Sequence, residues 1–326
     1  MIYTRLGRTG LKVSRLCLGT MNFGEDTDER EAHRILDAAL DAGITFVDTS
    51  NSYGGDGENR GNTEAIIGRW FAGGSRRERV VLATKVYGNM EDPADGPNRG
   101  YGLSAYKIRR HLEGSLRRLQ TDHIDLYQMH HIDRNVTWAE LWDAFELVVS
   151  QGKATYIGSS NFASRDLVRA QYEAESRHFL GLVSEQHRYS LMCRLPELEV
   201  LPTAWELGIG VMAYSPLEGG LLGNVFDPAK TSSRSERARR RVEKHRNRLE
   251  GFAALCRELG ESEPNVALAW VLSNPAITSP IIGPRTVEQL ESSLRAVEIK
   301  LDEPTLKRLD ELFPGPGGGA PEAYAW

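Results

Sequence analysis

Along the chain, short runs of β-branched and apolar residues alternate with longer stretches whose apolar positions recur every three or four residues. The short runs are RLCLG at 15–19, TFVD at 45–48, VVLATK at 80–85, IDLYQM at 124–129, TYIGS at 155–159, LVSE at 182–185, IGVMAY at 209–214 and SPIIG at 279–283. They read as eight strands. The longer stretches include 28–43, 104–119 and 138–152; their spacing predicts amphipathic helices, two of them closing on a glycine as helix C-termini often do. Strand and helix alternating about eight times predicts either a closed parallel barrel or a doubly wound open sheet.

Glycine placement separates the two. A doubly wound dinucleotide enzyme carries G-x-G-x-x-G between its first strand and helix, whereas this junction reads GTMNFGEDTDE. The one near-match, Gly208, Gly210 and Ala213, runs into a strand instead of leaving one. The expected fold is therefore a (β/α)8 barrel, with its active site at the C-terminal ends of the strands. Without a linker or internal repeat, residues 1–326 read as a single domain ending in a tail at 314–326.

Composition adds limits. A chain of 326 residues with 40% apolar residues and a net charge of -5 suits a globular protein with a sizeable core, and nothing in it calls for nucleic acid or a membrane. Its start, MIYTRLGRTGLKVSRLCLG, has no continuous apolar segment of the signal-peptide kind, so a cytoplasmic location is expected. Cys17, Cys193 and Cys256 are odd in number, far apart and flanked by apolar residues. They read as buried free thiols, with no metal site expected. Two segments stand apart: the Gly/Pro-rich loop 87–103, and the run 234–248, which has eight Lys or Arg against two acidic residues. The basic run reads as a solvated helix face or as a flap over phosphates; no stacking aromatics accompany it.

Candidate chemistry gathers on one rim. Asp48 ends the second expected strand, Tyr53 follows in the loop, Lys85 ends the third and His130 follows the fourth. Singly, each also fits a structural role as turn former, loop aromatic, strand end or core histidine. Together they make an acid–base device. A phenol loses its proton near pH ~10, and a neighbouring ammonium stabilises the phenolate, which would bring its acidity toward the working range. Lys85 supplies that ammonium, and Asp48 supplies the opposite charge that its burial requires. His130 would donate a hydrogen bond to a substrate oxygen while a hydride reaches the carbonyl carbon.

At these residues the sequence resembles the aldo-keto reductase family. The resemblance runs through LGRTGLKVSRLCLGT, GITFVDTSNSYG with Glu64 and Gly68 downstream, ATKVYG, DHIDLYQMHH, GKATYIGSSNF, SEQHRYSLM, GVMAYSPLEGGLLG and IIGPRTVEQL. It implies a barrel preceded by an N-terminal β-hairpin, an Asp–Tyr–Lys–His tetrad, and NADPH as the cofactor. Ser160, Asn161 and Gln186 would hold the nicotinamide carboxamide, with Tyr214 stacked on the ring and Gly19, Thr20 and Asp48 lining that end. Ser215, Leu217, Gly219 and Gly220 would cradle the pyrophosphate. Gly283, Arg285, Gln289 and Ser293 would hold the adenosine half, Arg285 pairing with the 2′-phosphate beside a helix N-terminus.

The family also contains potassium-channel β-subunits, which use this barrel as a regulatory binding module and usually lack a histidine where His130 stands. A short-chain dehydrogenase is a weaker rival, because no Tyr here has a Lys four residues later. DHIDLYQMHH and the tail FPGPGGGAPEAYAW resemble actinobacterial reductases of the TDP-4-keto-6-deoxyhexose 2,3-reductase type, which implies a nucleotide-linked keto-deoxysugar substrate in antibiotic sugar biosynthesis. General aldehyde or ketone reduction is the alternative. Tyr87, Asn89, Met90 and His131 are the candidate substrate contacts.

Overall fold

The computed structural model of the protein describes residues 1–227 and 236–318. Residues 234–235 of the basic run and 319–326 of the tail lie outside the described residues.

A hairpin opens the chain, β1 (Tyr3–Arg5) pairing antiparallel with β2 (Lys12–Ser14). Among the described residues, eight further strands then close into a parallel barrel. They are β3 (Cys17–Gly19), β4 (Phe46–Asp48), β5 (Val81–Val86), β6 (Ile124–Met129), β7 (Ala154–Ser160), β8 (Leu182–Arg188), β9 (Gly210–Tyr214) and β10 (Ile277–Ile282), with β10 returning to pair with β3. Each of the eight apolar runs holds one of them. The largest extension is in β8, which continues past Glu185 through Gln186, His187 and Arg188.

Helices follow where apolar periodicity placed them, at Glu29–Asp41, Ala105–Leu119 and Trp138–Ser150. Asp28, Ser104 and Thr137 each accept a backbone N–H of the first turn, which otherwise has no partner within its helix.

Alternation along the strands sorts the barrel's contents. Phe46, Ala83 and Leu126 join Leu6 and Val13 of the hairpin in an apolar inner cluster. Two residues further along the same strands, on the same face, stand Asp48, Lys85 and Gln128. The lumen is thus apolar where the hairpin plugs it and polar at the opposite end. Val47, Leu82 and Tyr127, at alternate positions, face the helices and join the large outer core.

The near-match to a dinucleotide fingerprint has a packing explanation. Gly208 accepts the Arg8 N–H at 2.8 Å, and a Cβ on Gly210 would fall 2.6 Å from the Gly7 nitrogen. These glycines let the hairpin plug approach β9.

Cys17 and Cys256 are buried free thiols; Cys193 is only half-buried, its thiol directed to the Arg188 carbonyl at the rim, which corrects the expectation for that residue. Loop 87–103 is tied down, since Lys107 Nζ donates to the Tyr87, Gly88 and Gly100 carbonyls while Arg110 and His111 bind Asp95. The basic run enters two helices, Glu236–Lys244 and Arg246–Leu259. No helix among the described residues is long and apolar enough to cross a membrane.

Gly68 lies on the helix Asn62–Ala72, where a Cβ would meet the Arg118 carbonyl oxygen at 2.1 Å. Gly68→Ala is expected to cost about 2 kcal/mol, the usual scale for overpacking a buried contact, measured by equilibrium denaturant unfolding. Unchanged stability would show that the two helices separate freely.

Candidate active site

Lys85 is fully buried at the polar end of the lumen, and its three ammonium protons have three acceptors: Asp48 Oδ2 at 2.6 Å, the Thr49 carbonyl at 2.8 Å and the Tyr53 hydroxyl at 3.1 Å. The other Asp48 oxygen accepts from Gln128 Nε2 at 3.0 Å and Gln186 Nε2 at 2.9 Å. One carboxylate therefore joins side chains of β4, β5, β6 and β8. Tyr53 is delivered by the turn after β4, where its N–H donates to the Ser50 carbonyl at 3.3 Å. The Lys85 ammonium lies 4.7 Å from the Tyr53 ring centre, and the His130 ring meets that ring edge-on at 5.8 Å. The structure brings all four expected residues together.

Their electrostatics correct one expectation. Burial pushes the Tyr53 phenol above its ordinary value; Lys85 opposes the rise and Asp48 adds to it. The ammonium therefore moderates the cost of the phenolate without bringing the phenol down to the working range. Burial also works against the Lys85 ammonium, but Asp48 and Tyr53 more than offset it and hold it above its ordinary value. His130 is pushed down to about 3, by burial first and then by Lys85 and His131. It is a neutral imidazole at ordinary pH.

Around this centre lies the rim expected to hold a dinucleotide. Tyr214, at the end of β9, donates its hydroxyl to Asn161 Oδ1 at 2.8 Å, and Asn161 donates to Ser160 Oγ at 3.0 Å and the His130 carbonyl at 3.1 Å. Thr20, next to Gly19 at the end of β3, donates its hydroxyl to the Asp48 carbonyl at 2.9 Å. Ser160, Asn161, Gln186 and Tyr214 thus border the tetrad as one connected group. The next loop carries left-handed backbone at Ser215, Glu218, Gly219 and Gly220. A Cβ on Gly220 would meet nothing within 4 Å, so there is clear space beside this backbone, while the Gly220 N–H itself donates to the Leu217 carbonyl at 2.9 Å. Leu217 anchors the loop on the core. Clear space beside that backbone, next to a half-buried ring and amide side chains, suits a nicotinamide dinucleotide.

A sequence model of the Aldo/keto reductase family matches residues 15–313. The chain belongs to that family. It is 65% identical, over 100% of both chains, to the Bacillus subtilis (strain 168) protein named Uncharacterized oxidoreductase YrpG. It is 32% identical to Probable voltage-gated potassium channel subunit beta of Oryza sativa subsp. japonica, across 92% of each chain. Putative aryl-alcohol dehydrogenase C977.14c of Schizosaccharomyces pombe (strain 972 / ATCC 24843) is also 32% identical, across 96% of this chain and 95% of that one. The protein is accordingly an NAD(P)-dependent oxidoreductase of the aldo/keto reductase family.

At the far end of the rim of this aldo/keto reductase stand the residues expected to hold the adenosine half. Arg285 pairs with Asp26 at 2.9 Å, both side chains exposed. In the adjoining helix, Val287–Ser293, the Val287 N–H donates to Glu31 and the Gln289 N–H to Thr286. Gln289 accepts the Arg285 N–H, Ser293 bonds within its own helix, and the Gly283 carbonyl accepts from Asn22.

Of the candidate substrate contacts, Tyr87 and His131 meet, with ring centres 5.4 Å apart, and Tyr101 packs on Tyr87 at 6.0 Å. Asn89 spends its side-chain oxygen on the Glu91 N–H in its own turn, while Met90 is half-buried nearby in the chain. Sequence reasoning missed Gln128, although a glutamine inside the apolar run IDLYQM was a visible signal of a polar lumen. It also missed Glu218, whose buried carboxylate takes Arg188, Ser190 and Arg241, the last drawn from the basic run. No local pattern marks that contact.

A histidine held below its free value takes up its proton more readily in the unfolded chain, so His130 costs the fold stability as pH falls from 6.5 toward about 3. Comparing acid unfolding of the wild type with His130→Gln checks this. The variant should lose less stability across that window; parallel curves would place His130 in an ordinary solvated environment.

Proposed function

We propose that this protein reduces the carbonyl of a small aromatic or other planar aldehyde or ketone, with NADPH as the cofactor and Tyr53 as the proton donor. The observation that carries the reading is the contact of Tyr53 with both the buried Lys85 ammonium and the His130 ring. When bound, the cofactor supplies the hydride. As negative charge develops on the substrate oxygen, the Tyr53 phenol gives up its proton, and the ammonium 3.1 Å away stabilises the phenolate left behind. His130, being neutral, orients the oxygen by a hydrogen bond. The Tyr87, His131 and Tyr101 rings support a flat substrate, in keeping with the name of the fission-yeast relative.

Arg285 is the group suited to the 2′-phosphate of NADPH, and Asp26 is the carboxylate that phosphate must displace. The nucleotide-linked keto-deoxysugar remains the narrower alternative, and a regulatory binding module is the alternative from another class. His130 favours turnover over binding alone.

Loss of nicotinamide absorbance on mixing the protein, NADPH and benzaldehyde tests the reading. Tyr53→Phe should bind NADPH normally and lose roughly a hundredfold or more in kcat, the usual reach of a positioned acid. Wild-type turnover in that variant would remove Tyr53 from its role, and tight NADPH binding without turnover of any carbonyl would favour the binding module. Turnover of TDP-linked 3-keto sugars, with none of aldehydes, would favour the deoxysugar. For the cofactor, Asp26→Asn should tighten NADPH and leave NADH unchanged, whereas Arg285→Ala should weaken NADPH alone. Equal effects on both cofactors would place the 2′-phosphate elsewhere.

A further inference from the structure

Ser50 is completely buried in the turn between Asp48 and Tyr53, and its hydroxyl lies 3.3 Å from His130 Nδ1. A neutral imidazole has one N–H and one bare nitrogen, and the group that bonds one nitrogen decides where the proton sits. If Ser50 donates to Nδ1, the imidazole proton is on Nε2. If Ser50 accepts, the proton is on Nδ1 and Nε2 has nothing to donate to a carbonyl oxygen.

The surroundings of Ser50 favour donation. Its oxygen accepts the Ser52 N–H at 3.4 Å, and the Ser52 hydroxyl lies 3.2 Å away as a further donor. Both contacts can fill the acceptor positions of Ser50 and leave its single proton for Nδ1. The competing acceptor, Asn51 Oδ1, is the most distant at 3.5 Å. Asn51 is itself fixed from its other side: its Nδ2 lies 3.2 Å from His111 Nδ1, and His111 Nε2 lies 3.0 Å from the Asp95 carboxylate. Room for the Ser52 hydroxyl is kept by Gly88, where a Cβ would fall 3.2 Å from Ser52 Oγ.

We propose that Ser50 is a positioning residue: by donating its hydroxyl proton to His130 Nδ1 it holds the imidazole proton on Nε2, ready to bond the substrate carbonyl oxygen. This rests on the reading of His130 as the donor to that oxygen. No atom is transferred through Ser50.

The direct test is nitrogen-15 spectroscopy of histidine-labelled protein with NADP+ bound at neutral pH, the His130 signals being assigned by their loss in His130→Gln. Protonated Nε2 and bare Nδ1 are expected in the wild type; protonated Nδ1 overturns the proposal, and this measurement needs no folded variant at Ser50. Ser50→Ala should lose about five- to tenfold in kcat, the worth of one ordinary hydrogen bond. Its NADPH affinity should hold, its His130 signals should move toward a mixture of tautomers, and Ser50→Thr should recover both. If His130→Gln keeps wild-type kcat, the reading of His130 fails. If His130→Gln is impaired while Ser50→Ala changes neither kcat nor the tautomer, that reading stands and the role of Ser50 fails.

Discussion

A fully buried ammonium is the constraint on which this barrel's functional end depends. Lys85 sits where no water replaces its lost hydration, so each of its protons must find an oxygen within the protein. Asp48, Thr49 and Tyr53 supply them, all from the end of β4 and the short turn that follows it. Asp48 must in turn be satisfied, and Gln128 and Gln186 reach its free oxygen from β6 and β8. That arrangement exists only if the strands close into a barrel. Closure, the polar lumen and the placement of the Tyr53 hydroxyl are parts of one requirement.

Within this frame the two groups proposed to meet the substrate are neutral. Burial keeps the proton on Tyr53 and keeps it off His130. The charge of the site is therefore held in the buried Lys85–Asp48 pair, in contact with the Tyr53 hydroxyl. Such a site holds its acid intact until negative charge appears on the substrate oxygen, and then meets the resulting phenolate with an ammonium already in contact. A raised phenol is consistent with this order of events: proton transfer is driven by charge developing on the substrate.

Much of this was legible in the sequence, for identifiable reasons. β-branched runs and amphipathic repeats placed the eight strands because each strand is covered on its outer face by a helix, a burial pattern that shows directly as residue type. Asp48, Tyr53, Lys85 and His130 could be grouped because they fall at or just beyond the C-terminal ends of consecutive strands. What stayed hidden depends on contacts between distant segments. The pairing of Arg285 with Asp26 spans most of the chain, and the clasp of Glu218 by Arg188 and Arg241 unites three elements. The direction of the Tyr53 shift was misjudged because proximity to Lys85 can be inferred from strand ends, whereas the depth of burial that outweighs it cannot.

The central claim is that Lys85 acts on Tyr53 by stabilising its phenolate against the cost of burial. The most direct measurement is a titration of Tyr53 followed through a carbon-13 label on its ring, in the wild type and in Lys85→Met. The account predicts a phenol above the ordinary value of 10.0 in the wild type and higher still without the ammonium. A Tyr53 titration that is unchanged or lowered in Lys85→Met would contradict it.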